Sequence, residues 1–298
     1  MTNRRPKPWR RMEFYHSRWG SQGVIGFSRA YPIYYTRKRG HRRGKVDTPR
    51  ISGYKLLTMG TIRTLACYFL LAVTTVILGT AAIVISLFDA SGNTPHLVAR
   101  LWGRIQLRTT GTEVKVSGFE HISPGRSYIL ASNHLSAFDI FAYLGYLPMQ
   151  FRWVAKAELF RTPFMGWAMK RIGYIAIDRG SPKKAYRSML AAAEAVKRGV
   201  SVMIFPEGTR SPDGRLQDFK KGLFLVALKS NAPILPITIQ GTAEILPKGD
   251  WRVRPGKVRI AIAPAVETTG FSPEKEAELS LRIRAVIESN LSNFPGAD

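Results

Sequence analysis

Two short stretches of this chain carry residue types that do chemistry. His134 and Asp139 stand five apart in Asn133-His134-Leu135-Ser136-Ala137-Phe138-Asp139, directly after an apolar run ending at Ser132. On one continuous helix, residues five apart point about 140° away from each other. The two side chains therefore meet only if His134 lies in a loop and Asp139 in the first turn of the helix that follows. An Asp near a helix N-terminus stays ionised, and a carboxylate that accepts one imidazole N–H makes the other ring nitrogen a better base. That is the His–Asp half of a triad, with no serine nucleophile set beside it; Ser136 is open to a third-member role or to simple turn formation. Alone, a His and an Asp at this spacing read first as a satisfied loop histidine.

The second stretch is Phe205-Pro206-Glu207-Gly208-Thr209-Arg210-Ser211, again after an apolar run. Gly208 lets backbone N–H groups approach a ligand, Thr209 and Ser211 bring hydroxyls, and Arg210 can grip a phosphate through two N–H bonds. Glu207 can accept from a substrate hydroxyl or steer Arg210. Two further cations end apolar runs: Lys156, and Arg179 in Gly173–Arg179. Basic groups at the ends of separate strands can converge on one phosphate.

The elements that must position these residues alternate. Strands are predicted at Val114–Val116, Tyr128–Ser132, Phe151–Ala155, Tyr174–Ile177, Val200–Phe205, Ile234–Ile239 and Val258–Ile262. Helices are predicted at Ala137–Leu144, Phe164–Arg171, Pro182–Arg198, Phe219–Lys229 and from Pro273 to about Leu291. Ser181-Pro182 and Gly199 supply start and stop signals for the third of these. Such alternation predicts an α/β fold, a mostly parallel or mixed sheet flanked by helices.

Charge is the anomaly of the composition. Of 298 residues, 45 are Lys or Arg and 20 are Asp or Glu, a net charge of +25 that calls for nucleic acid, an anionic membrane surface or a phosphorylated substrate. A single cysteine excludes a disulfide framework and a thiolate metal site. Residues 1–58 hold 15 Lys or Arg against 2 Asp or Glu, without a sustained apolar period. They read as a mostly disordered basic tail, either an arm for anionic phospholipid or RNA, or simply solvated.

Between Arg63 and Asp89 come 25 uncharged residues, as a helix about 37 Å long against a hydrocarbon core of about 30 Å. Membrane contact follows. Asn93-Thr94-Pro95 then opens a helix on which Leu97, Val98, Leu101, Trp102 and Ile105 share one face and Arg100, Arg104 and Arg108 another, the pattern of an interfacial amphipathic helix. Basic sequence on both sides of the apolar segment favours a membrane hairpin, with both flanks cytoplasmic, over a single membrane helix. The chain divides into the tail (1–58), the membrane segment with its interfacial helix (59–110), and an α/β domain (111–298).

NHLSAFD and FPEGTRS, followed in order by Leu235-Pro236-Ile237 and with Gly173–Arg179 as a looser block between the first two, resemble the four motifs of the glycerolipid acyltransferases. Within them they are similar to the 1-acyl-sn-glycerol-3-phosphate (lysophosphatidic acid) acyltransferases of bacteria, over about residues 60–265. Residues 1–58 depart from that pattern. Met59-Gly60-Thr61-Ile62-Arg63 looks like an ordinary start, so a chain beginning at Met59 is expected to keep activity.

The resemblance implies acyl transfer from a thioester to the sn-2 hydroxyl of lysophosphatidic acid. It makes His134 the general base, Asp139 its orienting partner, and Glu207, Gly208, Thr209, Arg210, Arg179 and Lys156 the substrate-binding set. It implies no metal and no bound cofactor; the acyl thioester of coenzyme A or of acyl carrier protein is a co-substrate. The implied place is the bacterial inner membrane, with the site on its cytoplasmic face. Another lysolipid acceptor, such as a lyso-ornithine lipid, fits the same motifs. A membrane-tethered nucleic-acid-binding protein explains the charge but neither motif, so no specific nucleic acid is expected.

Overall fold

In a computed structural model of the chain, residues 52–294 are described. Two helices, α1 (Ser52–Ile85) and α2 (Asn93–Thr109), precede a seven-stranded sheet. The strands are β1 (Glu113–Ser117), β2 (Ile129–Ser132), β3 (Arg152–Lys156), β4 (Ile175–Ile177), β5 (Val202–Ile204), β6 (Ile234–Gln240) and β7 (Lys257–Ile262). Between and after them lie α3 (Phe138–Tyr146), α4 (Met165–Ile172), α5 (Pro182–Lys197), α6 (Gly222–Ser230), α7 (Thr242–Ile245) and α8 (Glu276–Ser292). Every predicted strand forms.

The sheet runs β1-β7-β6-β2-β5-β3-β4. The five strands from β6 to β4 are parallel; β7 pairs antiparallel with β6, and β1 lies parallel to β7. The sheet is therefore mixed. Its centre is covered on both faces, which is why β2 and β6 are buried nearly throughout and read as continuous apolar runs. One apolar core joins the sheet to α3 and α4, and a second joins its other face to α5, α6 and α8. Helix α5 starts where expected: Ser181 Oγ accepts from the Lys184 N–H and Pro182 takes the first helical position.

Helix α1 begins at Ser52, so the expected boundary at residue 58 falls inside it; the rest of the predicted basic tail lies outside the described residues. Met59–Ile85 is long and apolar enough to cross a membrane by length and composition, and most of it is exposed. Yet α1 also leans on the α/β body. Arg63 Nη2 donates to the Val253 carbonyl (3.0 Å) and the Tyr68 hydroxyl to that of Trp251 (2.9 Å), while Gly79 lies against Phe164.

A short turn returns the chain into α2, tied to α1 by Trp102 Nε1 to Thr75 Oγ1 (3.1 Å) and Gln106 Nε2 to Thr74 Oγ1 (2.7 Å). Buried Arg152 of β3 clamps that turn through the Ser91 carbonyl (3.0 Å) and Asn93 Oδ1 (2.8 Å). Two of the three arginines in the α2 row pack onto α3, while Arg108 stays exposed. Arg100 donates to the Leu147 carbonyl (2.7 Å) and Arg104 to that of Gly145 (2.8 Å), where cations meet the C-terminal end of α3. Gly103 lets α2 approach so closely that a Cβ there would stand 2.8 Å from the Phe141 carbonyl oxygen. Leu97 and Leu101 of α2 stay exposed, as do Ile62, Phe69 and Ile77 of α1.

Candidate functional site

Five parallel strands end on one edge of the sheet, and the residues singled out by type come from the loops at those ends. After β2 the chain turns through Asn133, whose amide pairs with both the N–H and the carbonyl of Ile239 at 2.9 Å and so anchors the turn to β6. His134 follows in the loop, and Asp139 lies in the first turn of α3. The two side chains meet, His134 Nδ1 to Asp139 Oδ2 at 2.7 Å. The same Oδ2 accepts the N–H groups of Leu135 (2.7 Å) and Ser136 (3.0 Å). An oxygen already facing two obligate donors is matched by an ionised carboxylate and a protonated Nδ1. In the neutral ring, Nε2 then carries the lone pair. Asp139 is fully buried, and its other oxygen accepts the hydroxyl of Thr242, the first residue of α7.

The loop after β5 packs beside this pair. Phe205 stacks on the His134 ring at 3.9 Å between centroids and 9° between planes. Glu207 lies in the same loop. It is buried, its Oε1 accepts the His134 N–H (2.8 Å) and its Oε2 the Gln217 N–H (3.0 Å). Burial raises its pKa, against those two bonds. Its carboxylate ties two loops together. Ser211 adds a third tie through its N–H to the His134 carbonyl (2.8 Å). Ser136 spends its hydroxyl on the Leu246 carbonyl (2.7 Å), which makes it a turn residue and not a third triad member. Gly208 adopts φ of +72°, a conformation that favours glycine at this bend.

A cavity of about 650 Å³ adjoins the pair. His134, Thr209, Arg210, Arg179 and Lys156 all line it, so the site cations expected from separate strand ends share one space. Most of its remaining wall is apolar and comes from α1–α4 and β3, with Gly79, Trp102, Phe141, Met169 and Trp153 among the lining residues. Lys156 is exposed and pairs with Glu158 (3.2 Å). Among the described residues, no group of three or more His, Cys, Asp or Glu could hold a metal ion.

Sequence reasoning missed Thr242 and Phe205. Thr242 lies 103 residues from Asp139, and only its place just past the end of a parallel strand hints at the site. Phe205 was legible as the last residue of a strand, not as the plate under the imidazole.

The site thus joins an α/β sheet, a half-buried His134 on a buried Asp139 at the strand ends, and an apolar cavity with a cationic set. Residues 113–240 match the family model Acyltransferase. The 1-acyl-sn-glycerol-3-phosphate acyltransferase of Pseudomonas aeruginosa is 32% identical over 242 residues, 80% of this chain and 93% of that protein. A chloroplastic 1-acyl-sn-glycerol-3-phosphate acyltransferase of Brassica napus is 37% identical over 169 residues, 56% of this chain and 48% of its own length. The chain thus spans about half the length of that chloroplastic relative. Among solved structures, the 1-acyl-sn-glycerophosphate (LPA) acyltransferase PlsC from Thermotoga maritima superposes with a TM-score of 0.71 at 30% identity, covering 81% of this chain and 98% of that one. The chain belongs to this acyltransferase family.

Proposed function

We propose that the protein transfers an acyl group from an acyl thioester to the sn-2 hydroxyl of lysophosphatidic acid, giving phosphatidic acid. The observation that carries this reading is His134, held by Asp139 with a free Nε2, lining one cavity with Arg179, Arg210 and a long apolar wall. His134 Nε2 takes the proton of the acceptor hydroxyl as the oxygen attacks the thioester carbonyl. The tetrahedral intermediate collapses, the C–S bond breaks, and the thiolate leaves with the proton from the imidazolium. Asp139 stabilises that imidazolium while it exists. No acyl-enzyme is needed, and the single cysteine, Cys67, is buried in α1.

Arg210 and Arg179 hold the glycerol phosphate, with Lys156 beside them, and Gly208 and Thr209 shape the loop that brings Arg210 in. Glu207 acts through the backbone of His134. The apolar wall takes an acyl chain.

The exposed apolar residues of α1 and α2 rest in a cytoplasmic membrane leaflet. Two features support a hairpin over a crossing. Basic sequence flanks the segment on both sides, and α1 is docked on the body at both Arg63 and Gly79, about 24 Å apart along the helix. A helix leaving to cross about 30 Å of hydrocarbon would abandon those contacts.

The test is complementation: expression in a bacterium lacking its own lysophosphatidate acyltransferase restores growth. An acceptor-competition assay in which a lyso-ornithine lipid outpaces lysophosphatidic acid would instead reassign the acceptor.

A further inference from the structure

A second cavity, about 870 Å³, lies on the opposite face of the sheet from the first, against α5 and α6. Val154, Arg179, Phe205 and Thr209 line both cavities, so the two adjoin at the loop that stacks Phe205 on His134. Met189 and Leu223 supply apolar wall, and three lysines, Lys220, Lys221 and Lys229, line it as well. All three lysines are exposed, and their side chains make no ion pair or hydrogen bond among the described residues. Two acids line the same space. Glu207 has both oxygens taken by backbone N–H groups, which leaves Glu276 as the one acid facing the cations. The exposed ring of Tyr186 lies beside them.

We propose that this second cavity receives the phosphorylated nucleotide end of a coenzyme A thioester. The proposal rests on the acyl-transfer reading above and names its donor. With the acyl chain in the first cavity and the thioester at His134, the pantetheine arm passes the four shared residues and the nucleotide lies beyond them. Unpaired lysines around a recess match a group carrying several phosphate charges. Tyr186 gives the base an aromatic neighbour. The cavity also falls within the size range of small-molecule and cofactor sites. A carrier protein would need a broad face of about 800 Å² instead. The side of the sheet agrees as well. The exposed apolar residues of α1 and α2 belong to the other side, so the lipid acceptor and the water-soluble donor approach from opposite faces.

The test uses the full chain with Lys220→Gln, Lys221→Gln and Lys229→Gln combined, substitutions at exposed positions outside the catalytic pair. The KM for acyl-coenzyme A is expected to rise about tenfold or more through lost phosphate contacts. The KM for lysophosphatidic acid, and that for an S-acyl pantetheine lacking the nucleotide, stay at wild-type values. Calorimetric titration with adenosine 3′,5′-bisphosphate reads the cavity without catalysis. Wild-type protein binds it, salt weakens the binding, and the triple variant loses it. An unchanged KM for acyl-coenzyme A, no binding of the bisphosphate by wild type, or a loss confined to acyl carrier protein as donor would each overturn the proposal. If wild type binds the bisphosphate but transfers no acyl group to lysophosphatidic acid, the acceptor reading fails and the nucleotide site stands.

Discussion

Thr242 and Asp139 are joined side chain to side chain across 103 residues of sequence, the Thr242 hydroxyl donating to Oδ1 while His134 holds Oδ2. Both residues are fully buried, so water cannot replace the hydroxyl if it is removed. On the proposed mechanism Thr242, supplied by the turn after β6, is a positioning residue for the base.

Replacing Thr242 by Val keeps the shape and strands Oδ1 without that donor, at a cost of about 1–3 kcal/mol. The expected result is a lower kcat with little change in the KM for lysophosphatidic acid, and an altered pH–rate profile. Thr242→Ser, which restores the hydroxyl, should recover most of the rate. A Val variant with wild-type kcat and profile would show the contact to be packing alone.

Arg210→Lys tests the phosphate grip. The charge survives but the planar two-point contact is lost, so the KM for lysophosphatidic acid should rise about tenfold. A neutral acceptor such as monoacylglycerol should be little affected. Equal losses on both acceptors would assign Arg210 to loop structure, where its carbonyl already accepts from Lys248 Nζ (2.7 Å).

The sheet was legible in the sequence for a physical reason, whereas the His–Asp pair, which its spacing alone left as a satisfied loop histidine, was singled out by the four-motif resemblance. Parallel strands buried on both faces leave unmistakable apolar runs, and ligands gather where those runs end. Direction leaves no such trace, so Val258–Ile262 was readable as a strand but not as the antiparallel neighbour of β6. Glu207 shows a second limit. Its place between Pro206 and Gly208 suggested a ligand group, but that its oxygens also accept the backbone N–H groups of His134 and Gln217 is something no side-chain pattern reports. The arginines of α2 show a third. Their four-residue spacing marks a helix face, but the carbonyls that end α3 decide what that face meets.

His96 makes stability depend on acid. Burial, reinforced by the nearby Arg152 charge, lowers its pKa from 6.5 to about 3, and its Nδ1 shares a hydrogen bond with the Tyr174 hydroxyl (3.0 Å). Between those values the unfolded chain binds a proton that the folded chain refuses. Stability should therefore fall as pH drops below 6.5, by up to about 1.4 kcal/mol per unit from this group. Chemical denaturation of wild type and His96→Gln from pH 7 to pH 4 checks this. The variant should lose that part of the slope, and parallel curves would contradict the assignment.

The membrane arrangement can be read by labelling. In a Cys67→Ala background, single cysteines at Ser52 and Ser91 should respond alike to an impermeant thiol reagent, both shielded in sealed right-side-out cells and both labelled in inverted vesicles. Labelling of only the Ser91 site in intact cells would establish a crossing and end the hairpin account.

The central claim is that His134 acts directly as a general base on the acceptor hydroxyl. Its most direct test is single-turnover acyl transfer from acyl-coenzyme A to lysophosphatidic acid by purified wild type and His134→Ala. The account predicts a loss of about 10²–10⁴-fold or more in the variant, with folding and vesicle binding retained and no acyl-enzyme trapped from wild type. Wild-type turnover by His134→Ala, or an acylated protein isolated in the absence of acceptor, would contradict it.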